Sequence, residues 1–136
     1  MELTGKTLVF TDCHFGIRNN SIARLNILIS VFKSIIKTVK QESISNVIFC
    51  GDAFHERVSI NSNTLNVALK CFSSLAKISK VYLIVGNHDL YSKNTTDISS
   101  VNVFKDTPNI TIIDKPMECT INGQLALFVP WLSDLS

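Results

Sequence analysis

The feature that most constrains this chain is a unit that occurs three times: a short apolar run followed at once by a turn bearing a histidine. The runs are Thr7-Leu8-Val9-Phe10, Asn46-Val47-Ile48-Phe49-Cys50 and Val81-Tyr82-Leu83-Ile84-Val85. The turns are Asp12-Cys13-His14, Gly51-Asp52-Ala53-Phe54-His55 and Gly86-Asn87-His88-Asp89, and they hold all 3 histidines of the chain. Runs with almost no polar member read as strands buried on both faces, the habit of a parallel sheet covered by helices. In such sheets ligands bind beyond the carboxyl ends of the strands, which is where all three turns fall.

The intervening sequence supplies the helices. Residues 6–11 read as the first strand. The Asn19-Asn20-Ser21 cluster offers N-cap residues, and Leu25, Leu28, Phe32, Ile35, Ile36 and Val39 then recur at helical spacing. Arg24, Lys33, Lys37 and Lys40 fall mostly on the other face and read as solvated. After a second strand at 46–50, Ser62 or Asn63 can cap a second helix, with Leu65, Ala68, Leu69, Phe72 and Leu75 as its buried stripe. A third strand spans 80–85. The order βαβαβ implies a mainly parallel sheet. A polar loop over 91–100 then leads to a short helix at 101–104. Pro108-Asn109 marks a turn before a short strand at 110–113. Asn122-Gly123 marks a two-residue hairpin between strands at 118–121 and 124–129. The strands after the βαβαβ unit are read as antiparallel.

Composition adds bounds rather than a function. A chain of 136 residues, 46% of them hydrophobic, is one globular domain or part of a larger one. A net charge of +2 neither identifies nor excludes a nucleic-acid surface. The cysteines Cys13, Cys50, Cys71 and Cys119 have no CxxC spacing, which argues against a zinc ribbon. Cys50 and Cys71 lie in apolar stretches and are expected to be buried free thiols. No transmembrane span is read, because the longest apolar stretch, 22–39, is interrupted by Arg24, Lys33 and Lys37. With no signal peptide evident, the expected compartment is the cytoplasm, or the host cytoplasm for a viral chain.

Carboxylate, imidazole and amide oxygen are the ligands of a hard divalent ion. Asp12 and His14 stand two apart, so on an extended strand end their side chains point the same way and can share one ion. Gly51 lets the backbone turn sharply and frees the Asp52 carboxylate to bridge two ions. Asn87 offers a neutral amide oxygen to the second. Two such ions, about 3.5–4 Å apart, acidify a water and neutralise phosphoryl oxygens, as phosphate-ester hydrolysis requires. Each turn alone has a plain structural use: Gly-Asp as turn chemistry, Gly-Asn-His-Asp as a capped turn, His55 as a surface histidine. Their occurrence in this order, each after a buried strand, favours a metal site.

Asp12-x-His14, Gly51-Asp52-x-x-His55 and Gly86-Asn87-His88-Asp89 resemble the first three motifs of the calcineurin-like metallophosphoesterases. Gly51-Asp52-Ala53-Phe54-His55, Gly86-Asn87-His88-Asp89-Leu90-Tyr91, the stretch 104–110 and Leu127-Phe128-Val129-Pro130-Trp131 are further similar to the SbcD-type subunit of double-strand-break repair nucleases. The resemblance covers essentially the whole chain. It implies an α/β fold of the α/β/β/α sandwich type. It also implies a metal-dependent DNA exonuclease with two divalent ions, manganese foremost and magnesium or iron as alternatives. The implied partners are DNA, an SbcC-like ABC-type ATPase and a second copy of the chain. By position, Asp12 and His14 would hold the first metal, Asp52 would bridge both, and Asn87 would bind the second. The implied catalytic residues are His88, facing the scissile phosphate, His55, supporting it, and Asp89, accepting the His88 ring N–H.

One departure shapes the expectation. The family completes its site with later histidines, and this chain has none after His88. Residues 1–136 are therefore expected to be the N-terminal part of a nuclease domain whose remainder lies elsewhere. Two other readings stand beside the nuclease: a phosphodiesterase or phosphatase of the same superfamily, and an inactive module that dimerises through its helices.

Overall fold

The alternation of side chains along a strand explains why the apolar runs are continuous. In β3 (Asn46–Phe49), Val47 and Phe49 face the helices while Ile48 faces a second sheet, and all four residues are buried. In β4 (Lys80–Ile84), Val81 and Leu83 face the helices, and Tyr82 and Ile84 the second sheet. A strand with a core on each side has no room for a polar alternate. The computed structural model describes residues 1–56, 60–89 and 100–132, with only the backbone of His88 and Ser100.

The chain opens with β1 (Glu2–Leu3) and β2 (Thr7–Phe10), then a short turn α1 (Ile17–Asn20) and the long helix α2 (Ile22–Gln41). Ser21 caps α2 by accepting the Arg24 N–H. After β3 comes α3 (Ser62–Ala76), then β4, a 3-10 turn at Asn87–Asp89 and another at Ser100–Phe104. The last strands are β5 (Ile110–Ile113), β6 (Met117–Ile121) and β7 (Gln124–Phe128). One sheet has the order β2-β3-β4-β5, all parallel; the other has the order β1-β6-β7. Helices α2 and α3 cover one face of the parallel sheet, and Leu3, Cys119 and Phe128 of the smaller sheet cover the other. The described residues thus give three layers, α/β/β.

Four details differ from the sequence reading. First, the strand at 110–113 extends the parallel sheet by pairing with β4, and only β6 and β7 are antiparallel. A four-residue strand carries no mark of its direction; the partner decides it. Second, β1 pairs in parallel with β6 and was not foreseen, since two residues show no periodicity. Third, the cap of α3 is Asn61, whose Oδ1 accepts from the Thr64 N–H at 2.9 Å. Fourth, Cys50 is exposed rather than buried, because it stands one residue past the end of β3. Cys71 is buried as expected. Asn122 and Gly123 both adopt positive φ, as the hairpin between β6 and β7 requires. Arg24, Lys33, Lys37 and Lys40 are exposed, and the loop read at 91–100 lies outside the described residues apart from the Ser100 backbone.

Under the helices lies an aromatic cluster containing seven of the eight phenylalanines: Phe10, Phe15, Phe32, Phe49, Phe54, Phe72 and Phe104. Phe72 of α3 is its hub. Its ring centroid lies 5.0 Å from that of Phe32, 5.3 Å from Phe49, 5.0 Å from Phe104 and 6.2 Å from Phe15. Edge-to-face and tilted pairs of this kind add to simple burial. Phe72→Ala is expected to cost about 3–5 kcal/mol in urea unfolding. A cost under about 1 kcal/mol would mean the cluster closes over the gap.

Candidate metal centre

Beyond β2 and β3 the chain keeps pairing although the strands have ended. The Asp12, His14 and Phe15 amides donate to the carbonyls of Gly51, Asp52 and Ala53 at 3.1, 3.0 and 2.7 Å. The His55 amide returns a bond to the Phe15 carbonyl at 2.9 Å. Phe15 and Phe54 form a parallel bridge and are 1% and 0% exposed, so each loop is anchored by a phenylalanine in the core. The ligand-bearing turns are thereby held side by side.

The residues between these anchors are not extended. Asp12, His14 and Asp52 have φ of 60°, 49° and 59°, in the left-handed region that non-glycine residues seldom occupy. Asp12 and His14 therefore meet through two left-handed residues rather than through strand alternation. His14 Nε2 stands 3.2 Å from Asp12 Oδ1 and 4.0 Å from Asp52 Oδ2. The ligand atoms of these three side chains lie within 4.8 Å of one another. One imidazole nitrogen and two carboxylate oxygens at that spacing fit a single divalent ion with bonds of about 2.0–2.2 Å after small rotations. The His55 ring lies 5.6 Å from the His14 ring, edge to face.

A hydroxyl not foreseen from the sequence supports the Asp12 carboxylate. Thr11 Oγ1 donates to Asp12 Oδ2 at 2.7 Å. That bond, and then the neighbouring His14, hold the Asp12 carboxyl below its ordinary range, so it is ionised at neutral pH. The Cys13 thiol between the two ligands is pushed up to about 12, chiefly by burial, and stays a neutral packing group.

Asp89 has the most definite structural task. It is 0% exposed. Its Oδ2 accepts the N–H groups of Asp52 and Gly86, both at 2.9 Å, and its Oδ1 those of Ala53 and Phe54 at 2.8 and 3.3 Å. One carboxylate thus joins the turn after β3 to the turn after β4. The two turns touch at their glycines, where a Cβ on Gly86 would collide with the Asp52 backbone nitrogen. Burial pushes the Asp89 carboxyl up to about 6, against the pull of the four donors. Asn87, on the same turn, lines a cleft with Asp52. The side chain of His88 lies outside the described residues, and with it the expected bond from His88 to Asp89.

With this geometry in view, the comparisons are direct. A family model for calcineurin-like phosphoesterases matches residues 5–134. The chain belongs to the calcineurin-like phosphoesterase family. Exonuclease subunit 1 of Enterobacteria phage T4 is 30% identical over 131 residues, 95% of this chain and 39% of that protein. Putative phosphoesterase 244L of Invertebrate iridescent virus 6 is 29% identical over 115 residues, 80% of this chain and 37% of that one. The chain thus spans less than two fifths of the length of these relatives. Pseudomonas putida nuclease MPE shares the fold, with a TM-score of 0.53 at 23% identity, over 82% of this chain and 48% of its own. This phosphoesterase family uses divalent metals, and the Asp12, His14 and Asp52 donors fit one. Among the described residues, no helix is long and apolar enough to cross a membrane.

Asp89→Asn should test the clamp. An amide there faces two backbone donors with a donor of its own, a loss of about 2–4 kcal/mol at neutral pH. Manganese binding, followed by calorimetry, should weaken although Asp89 stands outside the Asp12, His14 and Asp52 donor group; unchanged affinity would show that the turns hold without it. The pH dependence has a definite sign. A folded-state pKa of about 6 against an ordinary 3.8 means that stability from this group is full below 3.8 and is lost as pH rises through about 6. The wild-type melting temperature should therefore fall across that window, and that of Asp89→Asn should not.

Proposed function

We propose that this chain carries the entry half of a two-metal centre in a DNA nuclease. The observation that carries the proposal is the meeting of Asp12, His14 and Asp52 on loops locked to each other, in a chain 30% identical to an exonuclease subunit. In this reading Asp12 and His14 hold one divalent ion, Asp52 reaches both, and Asn87 serves the second. Bound there, the ions would supply Lewis acidity toward a phosphoryl oxygen and would acidify an attacking water. His88 would assist the departing oxygen of the scissile phosphate, His55 would support it, and Asp89 keeps their turns in register. Manganese is the ion we propose, since oxygen and imidazole donors suit it.

Residues 1–136 would form the N-terminal part of the phosphoesterase domain, in keeping with the share of the relatives that the chain spans. The working assembly would pair it with an SbcC-like ABC-type ATPase in double-strand-break repair or recombination, in a cytoplasmic compartment. Calorimetric titration with manganese should give binding that Asp52→Ala abolishes and His88→Ala retains. In the full-length protein, His88→Ala should lose hydrolysis of linear duplex DNA. Cleavage of a chromogenic diester but not of DNA by the full-length protein would replace the nuclease with a phosphodiesterase of another substrate class.

Self-association is part of the same proposal. Ile27 and Val31 of α2, one turn apart, are 55% and 42% exposed, and with Ile35 they line one strip of a helix whose other face is already in the core. Sedimentation should show a dimer that Ile27→Glu dissociates; a monomer at high concentration would remove this element.

A further inference from the structure

The cleft beside the candidate metal centre is lined by two unlike sets of residues. Asp52, Gly86 and Asn87, after β3 and β4, give it polar groups. Val129, Pro130 and Trp131, which follow β7, line it as well and are apolar. The cleft measures about 550 Å³, within the range of about 300–1,000 Å³ usual for small-ligand sites.

Trp131 is fixed in place although it belongs to the other sheet. Its backbone N–H donates to the Val85 carbonyl at 2.9 Å, so the chain leaving β7 crosses to the end of β4. Val85 in turn donates to the Ile113 carbonyl at 3.0 Å, which ties the crossing to β5. The residue is nonetheless 41% exposed, a large aromatic surface left open at a cleft edge. Pro130 before it limits the backbone.

With the divalent ions proposed above held at Asp52 and Asn87, a ligand suited to this cleft would carry negative oxygen at one end and a flat apolar group for Trp131 at the other. A phosphoserine or phosphothreonine side chain has no flat group. A nucleotide has both, and its base has a π-face whatever its identity. We propose that Trp131 is a positioning residue on which the base next to the scissile phosphate stacks. The inference rests on the nuclease reading above and narrows it. Stacking requires a base free of its helical neighbours, so the cleft would take a single-stranded or frayed end in preference to an intact duplex interior. Sequence preference would be slight, because no base edge needs to be read.

Trp131 is the single tryptophan of the chain, so tryptophan fluorescence reports on this residue alone. With manganese present, an eight-residue oligothymidylate should quench it. An abasic deoxyribose-phosphate strand of the same length should bind without quenching. By labelled-strand anisotropy, Trp131→Ala should bind the oligothymidylate roughly 5- to 150-fold more weakly and the abasic strand unchanged. Trp131→Phe should retain most of the difference, which a merely structural tryptophan would not predict. Equal affinity of wild type for the two strands would overturn the stacking proposal and leave the nuclease reading standing. Failure of both strands to bind would overturn the stacking proposal as well, while the nuclease reading stands or falls on hydrolysis of linear duplex DNA by the full-length protein.

Discussion

The site depends on one buried carboxylate that is not itself proposed to touch a metal. Asp89 gathers four backbone N–H groups from two loops that follow different strands. Loops after parallel strands are separated by whole crossover helices, so nothing in local sequence keeps them together. An ionisable group at that junction is costly to bury, and its pKa of about 6 records the cost. The cost is tolerated because each donor would otherwise be left unsatisfied in a space where glycines allow the chains to touch. Asp52 is therefore placed by Asp89 as much as by its own turn.

The second support is register. Pairing between β2 and β3 continues past the strand ends into the loops, with Phe15 and Phe54 as buried pegs. Those pegs belong to the same aromatic cluster that packs α2 and α3 onto the sheet. Core and site are thus one mechanical unit: movement of α3 reaches Phe72, then Phe15, then the loop of His14. Catalytic side chains on loops are common, but loops stitched so closely to a sheet behave more like its extension.

Much of this was legible in the residues. Three buried strands, two crossover helices and the Asn122-Gly123 hairpin follow from periodicity and turn chemistry, and the turns after two of those strands bring Asp12, His14 and Asp52 together. Other features were hidden for physical reasons. The direction of β5 depends on its partner. The meeting of Asp12 and His14 depends on positive φ values that an Asp-x-His spacing does not announce. Beside His88, Asp89 reads as a partner of its neighbour, and nothing in the sequence shows that three of its four described bonds run to amides 35 to 37 residues away. Backbone donors have no signature in a sequence. Thr11 was passed over because a threonine at a strand end is ordinary.

The left-handed backbone at Asp12, His14 and Asp52 sets stability against function at single positions. Glycine adopts such φ values freely, while other residues hold them at about 1–3 kcal/mol each. At each of these positions the residue that would relax the backbone is the one that removes a candidate donor. A chain drifting toward a calmer fold would thus lose its donors one at a time.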